Sequence, residues 1–203
     1  ALADRYGTGD VRLSPAQAFV IPHINDRVVG ELAEEPLVKQ FAYNPSPLYK
    51  GLVSCVGSDY CNLAVIETKS RAVETARALE GKLGDHLKPI TLHWSGCPAG
   101  CGNHLVADIG LLGKKARVGG KVVDAVDIFV GGRSGPDPKL ATKIMEDVPC
   151  DKLPAVLENL MPYHTRDKMH RVRGKAAPKP AGSAKPAASG NEAAGLTPQP
   201  LPA

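Results

Sequence analysis

Two close pairs of cysteines constrain this 203-residue chain more than any other feature. Cys55 and Cys61 stand as Cys-x5-Cys, Cys97 and Cys101 as Cys-x3-Cys, and 35 residues lie between the pairs. Such spacing puts each couple of thiols on one tight loop. Four soft ligands then serve a buried metal centre if folding brings the two loops together. Five cysteines in a chain this long are too few for a disulfide scaffold. A globular part of about 165 residues would bury roughly 70% of its unfolded surface, so the core needs no covalent staples.

Periodicity places the pairs between regular elements. Residues 10–14 and 18–21 read as two short strands joined by a turn. Residues 28–41 have helical spacing that Pro36 splits or kinks. Asn44-Pro45-Ser46-Pro47 reads as a linker, because each proline biases the residue before it to extended backbone. Gly51 to Ser54 is a short buried strand ending at Cys55. Residues 62–83 read as an amphipathic helix stopped by Gly81 and Gly84. Lys88 to Trp94 is a strand leading into the second cysteine loop. Leu105 to Gly113 and Val122 to Val130 read as strands joined by a hairpin turn at Gly119-Gly120. Residues 139–148 and 151–161 read as two short helices with Pro138 and Pro154 near their starts. The fold class expected is α+β.

The formal charge of +4 is unevenly spread. From Thr165 onward there are seven basic and two acidic residues, so the tail carries +5 and residues 1–164 carry −1. The body therefore has no basic surface suggesting nucleic acid. Within the tail, Lys175 to Ala203 is Ala/Pro/Gly/Ser/Lys text without periodicity, too poor in large apolar groups to offset the entropy of ordering it. It reads as disordered, and its charge could attract an acidic partner. No apolar run approaches the roughly 18 residues that a membrane helix needs. A reducing compartment is expected, and a first residue other than methionine suggests a fragment of a longer protein.

By spacing alone, an iron–sulfur cluster, a structural zinc ion and unrelated buried thiols all remain open. Zinc favours Cys-x2-Cys to Cys-x4-Cys pairs, and one pair here is wider. Cys150 stands apart and reads as a small buried hydrophobe. His93 and His104 flank the second pair; each reads as a neutral imidazole satisfied by backbone, and Trp94 as core. Gly131-Gly132-Arg133-Ser134-Gly135 follows a strand and offers glycines and a guanidinium to a carboxylate or phosphate.

The text around the thiols carries a resemblance. Cys55-x5-Cys61 leads into Ile66-Glu67-Thr68-Lys69; then come Trp94-x2-Cys97-Pro98-x2-Cys101, Val106-Ala107-Asp108-Ile109-Gly110 and Gly131-Gly132-Arg133. From about Tyr6 to His164 this is similar to the siroheme-containing nitrite and sulfite reductase family. The resemblance implies a [4Fe-4S] cluster held by Cys55, Cys61, Cys97 and Cys101. It also implies that the Cys101 sulfur bridges to the iron of a siroheme. The Glu67-Thr68-Lys69 and Val106 to Gly110 stretches look like the nitrite branch. Ala99 departs from the family, which often has asparagine there.

What the resemblance implies about function is a six-electron reduction of nitrite to ammonium, with ferredoxin as donor, in the cytoplasm or a plastid stroma. It divides the chain into a partial ferredoxin-like segment (1–45), a siroheme and [4Fe-4S] binding domain (46–164) and a disordered tail (165–203). The family is built from two pseudo-symmetric halves, and the cations that clamp the anion come mainly from the first. The partner expected is therefore a missing N-terminal half, and no catalytic acid or anion clamp is assigned in this chain. A sulfite reductase of the same build and a non-catalytic electron-transfer module are the rival readings.

Overall fold

The computed structural model describes residues 1–41, 43–84 and 88–161. The fold is α+β, as expected. Its centre is a mixed five-stranded sheet in the order β3-β4-β5-β6-β7, made of Leu52–Ser54, Leu92–Ser95, Ile109–Val118, Lys121–Val130 and Thr142–Pro149. The first three strands run parallel and the last three form an antiparallel meander.

Register explains which face is buried. Leu92 lies opposite Ile109, Trp94 opposite Leu111, and Leu111 opposite Ile128, so all of these share one face. Helix α5 (Lys69–Leu83) presents Ala72, Ala76 and Leu79 to that face, and helix α6 (residues 153–161) presents Leu153, Leu157 and Met161. A bond from Lys82 Nζ to Glu158 Oε2 (2.6 Å) ties the two helices side by side. The opposite face of the sheet carries His93, Ser95, Asp127 and Phe129. It is the more polar face, and the second cysteine loop lies against it.

Several expectations meet corrections. Residues 62–68 are loop, not helix; their backbone bonds go to the cysteine loops, and α5 starts only at Lys69. Its buried face is Ala72, Thr75, Ala76 and Leu79, while Leu63 is exposed. The helix runs through Gly81 and ends at Gly84. The strand expected from Leu105 opens instead as a 3-10 turn, His104–Val106, and β5 begins at Ile109. The largest error is at 139–148, expected as helix and found as β7. The outer edge of β6 offers a row of open backbone groups, and pairing with it outweighs weak local helical preference. The hairpin at Gly119-Gly120 is as expected, both glycines having positive φ.

The first 45 residues form small elements: α1 (Leu2–Tyr6), a two-residue antiparallel ladder of β1 (Arg12–Leu13) with β2 (Phe19–Val20), then α2 (Val29–Glu34) and α3 (Pro36–Gln40). Pro36 does split the helical stretch, standing at the first turn of α3. The Tyr6 hydroxyl donates to Glu31 and Glu35, pinning α1 to α2. An apolar groove of about 480 Å³ opens here between Phe19, Ile21, Leu32, Val38 and Phe41. Helix α4 (Pro47–Lys50), capped by the Ser46 hydroxyl, carries the chain into β3. The tail reading falls outside the described residues.

Candidate metal centre

Strands β3 and β4 are parallel and pair Ser54 with Trp94, so they end at the same edge of the sheet. Parallel strands deliver their outgoing loops side by side. The loop with Cys55 and Cys61 and the loop with Cys97 and Cys101 therefore leave from adjacent strand ends. Backbone bonds stitch them together: Cys55 N–H donates to Trp94 O (3.0 Å) and Val65 N–H to Gly96 O (2.8 Å). Gly96 N–H donates to Cys55 Sγ (3.1 Å).

Each loop is also tied internally. In the first, Ser58 N–H reaches Ile66 O and Cys61 N–H reaches Gly57 O. The Thr68 hydroxyl, fully buried, donates to Cys55 O (2.8 Å) and stands 3.6 Å from Cys55 Sγ. With Thr68 turned inward, the start of α5 is capped from outside by Glu67, whose carboxylate accepts from Ser70 N–H and Arg71 N–H. In the second loop, Gly102 N–H donates to the buried Ser95 hydroxyl (3.2 Å), which also meets His104 Nδ1 at 2.9 Å. A Cβ at Gly102 would fall 1.9 Å from Trp94 O, so the loop crosses β4 at a distance open only to glycine.

The fold joins the loops without converging the sulfurs. Cys55 and Cys61 are half-buried, Cys97 is buried and Cys101 exposed, and all are free thiols. Among the described residues no group of three or more His, Cys, Asp or Glu side chains is placed to hold a metal ion. Sulfur positions turn on χ1 rotations, and one neutral thiol gains little from facing another. The donor chemistry still fits an iron–sulfur cluster. Four thiols on adjoining loops are unpaired in disulfides, and one sulfur already receives a backbone N–H of the kind that tunes such clusters. A cavity of about 250 Å³ opens in the second cysteine loop, lined by Pro98, Ala99, Gly100, Asn103, His104 and Leu105.

The other singled-out residues sort by contact. His93 Nδ1 meets Asn103 O at 3.1 Å, so backbone does satisfy it. His104 is satisfied by the Ser95 hydroxyl instead of backbone, and stands edge-on to Phe129. Burial pushes both imidazoles below the ordinary histidine range. Trp94 is core, with no partner for its indole N–H among the described residues. Cys150 is buried in the core cluster, and burial raises its thiol pKa. Arg133 is engaged by the exposed Asp137, through the carboxylate and the backbone carbonyl. Asp108 accepts from Thr91 N–H and hydroxyl, which locks the start of β5 to β4.

Sequence reasoning missed Gln17. Its backbone is left-handed, and its amide pairs with both Ser54 N–H and Ser54 O, extending the open edge of β3 like one more strand residue. Lys69 Nζ donates to the same amide oxygen (3.0 Å). Nothing at positions 15–18 signals this, since the contact spans 37 residues.

Adjoining cysteine loops on a parallel strand pair are an arrangement that an iron–sulfur domain can use. The chain belongs to the nitrite and sulphite reductase 4Fe-4S domain family, which matches residues 50–182. It is similar to a ferredoxin–nitrite reductase of Synechococcus elongatus, with 49% identity over 79% of this chain and 31% of that protein. A chloroplastic ferredoxin–nitrite reductase of Oryza sativa is 44% identical over 79% of this chain and 27% of its own length. The solved structure of the Mycobacterium tuberculosis NirA protein superposes with a TM-score of 0.70 at 30% identity, covering 77% of this chain and 30% of that one. The chain thus spans about 30% of the relatives' length.

Proposed function

We propose that this chain is the cluster- and siroheme-binding part of a ferredoxin-dependent nitrite reductase. Cys55, Cys61, Cys97 and Cys101 would hold a [4Fe-4S] cluster, and Cys101 would be the ligand that faces a siroheme. The observation that carries this is the common edge of β3 and β4, which sets the two cysteine loops against each other. Cys101 is the exposed one of the four thiols, which suits the ligand that would face a second cofactor. The bound pair would supply the six-electron reduction of nitrite to ammonium.

The protein's own residues have narrower tasks. Gly96 N–H and the Thr68 hydroxyl face the Cys55 sulfur. Ser95 and His104 hold the second loop to the sheet. The anion-clamping cations belong, in this reading, to the part of the enzyme beyond this chain. No helix among the described residues is long and apolar enough to cross a membrane. We place the enzyme in the cytoplasm, or in a plastid stroma.

The test is anaerobic loading followed by iron analysis and visible spectroscopy. Cys→Ser at 55, 61, 97 or 101 should each strip most of the iron, while Cys150→Ser should keep it. Retention of full iron by any of the first four variants removes that residue from the ligand set. In the complete enzyme, reduced ferredoxin and nitrite should give ammonium; faster turnover of sulfite to sulfide would favour the sulfite branch.

A further inference from the structure

Of Cys55, Cys61, Cys97 and Cys101, Cys55 alone among the described residues has hydrogen-bond partners at its sulfur: Gly96 N–H at 3.1 Å and the Thr68 hydroxyl at 3.6 Å. The second contact is unusual because Thr68 has a single hydroxyl proton and two candidate acceptors. The Cys55 carbonyl lies at 2.8 Å and the Cys55 sulfur at 3.6 Å. Both belong to one residue, and Thr68 is fully buried, so water does not compete for the proton.

Charge on the sulfur decides where that proton points. Facing a neutral thiol, the hydroxyl is best directed at the carbonyl, and the thiol proton can turn toward the hydroxyl oxygen. Facing a thiolate, the sulfur becomes a charged acceptor, and charge-assisted hydrogen bonds are roughly twice as strong as neutral ones. A rotation about the Thr68 Cβ–Oγ bond moves the proton between the two without moving any heavy atom.

We propose that Thr68 is a positioning residue that sets the reduction potential of the cluster through Cys55. This rests on the assignment of Cys55 as a cluster ligand. Adding an electron puts more negative charge on the ligand sulfurs, and a hydrogen bond to sulfur favours the more negative state. The buried hydroxyl therefore raises the potential, and it does so at one corner of the cluster. Gly96 N–H acts in the same sense, but no side-chain change removes it. Thr68 is the position at which sequence can adjust the value.

The loaded 203-residue chain tests this by potentiometric titration followed by electron paramagnetic resonance of the reduced cluster. Thr68→Val keeps shape and removes the donor; Thr68→Ser keeps the donor; Thr68→Ala removes both donor and bulk. Val and Ala should lower the potential, by up to about tenfold in the one-electron reduction equilibrium, or about 59 mV. Ser should match the wild type. A wild-type value in Thr68→Val overturns the proposal. So does a cluster that only the Ser variant and wild type retain, because the hydroxyl would then serve assembly and not potential. A wild-type chain that takes up no iron at all is a different failure, and it removes the cluster reading itself.

Discussion

At the scale of single residues, two glycines of the same chain should respond to alanine in opposite ways. Gly102 lies where the second cysteine loop crosses β4, and an added Cβ would stand 1.9 Å from Trp94 O and 2.6 Å from its carbonyl carbon. Backbone cannot yield there as a side chain would. Gly102→Ala should cost about 1–3 kcal/mol, the usual range for overpacking, and lower iron loading as the loop lifts from the strand. Gly81 sits exposed inside α5, and nothing lies within 4 Å of its would-be Cβ. Gly81→Ala should stabilise by about 0.5–1 kcal/mol, because alanine has less chain entropy to lose in a helix. Urea unfolding of both variants checks the pair. A stabilised Gly102→Ala would mean that the loop does not approach β4 this closely.

Elements are held by a different chemistry on each face of the sheet. On the polar face, Asp127 of β6 is only 6% exposed. It meets Lys114 of β5 at 3.2 Å and Lys143 of β7 at 3.6 Å, and it accepts the Asp147 N–H at 3.1 Å. That last bond forms where the β6–β7 register slips and Asp147 turns left-handed. One carboxylate therefore joins three strands. Asp127→Asn should cost about 1–3 kcal/mol, less than a fully buried pair because both lysines keep second acidic partners in Asp147 and Glu146. Asp137→Asn, at an exposed pair with Arg133, should cost about 0.5 kcal/mol or less. Equal losses from the two variants would discard the strand-joining role. The same cluster explains why β7 was illegible. Thr142 to Pro149 carries no clean alternation and is mostly exposed, so only its neighbours reveal it as a strand.

Over the whole molecule, the half-buried His93 and the buried His104 should make stability depend on pH. Burial holds His93 and His104 below the ordinary value of 6.5, and the charge of His93 adds to the effect on His104. As pH falls through 6.5, the unfolded chain takes up these protons before the folded one does. Stability is therefore complete above about pH 6.5 and declines below it, until the lowered folded-state values are passed. The melting temperature of the metal-free chain should drop from pH 8 to pH 5, with a flatter slope in the His93→Gln, His104→Gln double variant. An unchanged slope in that variant would exclude the two imidazoles as the cause.

Much of this was legible in the sequence for local reasons. Thiol spacing, the glycine hairpin, the proline split at 36 and the short apolar strands each depend on a few neighbouring residues, and local chemistry is enough to write them. Tertiary structure decided what no short window contains: the parallel register that sets both cysteine loops at one edge, the amide of Gln17 completing β3, and β7 chosen by an open partner strand. Each of these contacts joins residues far apart along the chain. Their free energy comes from surfaces and backbone groups that meet only once the core has closed.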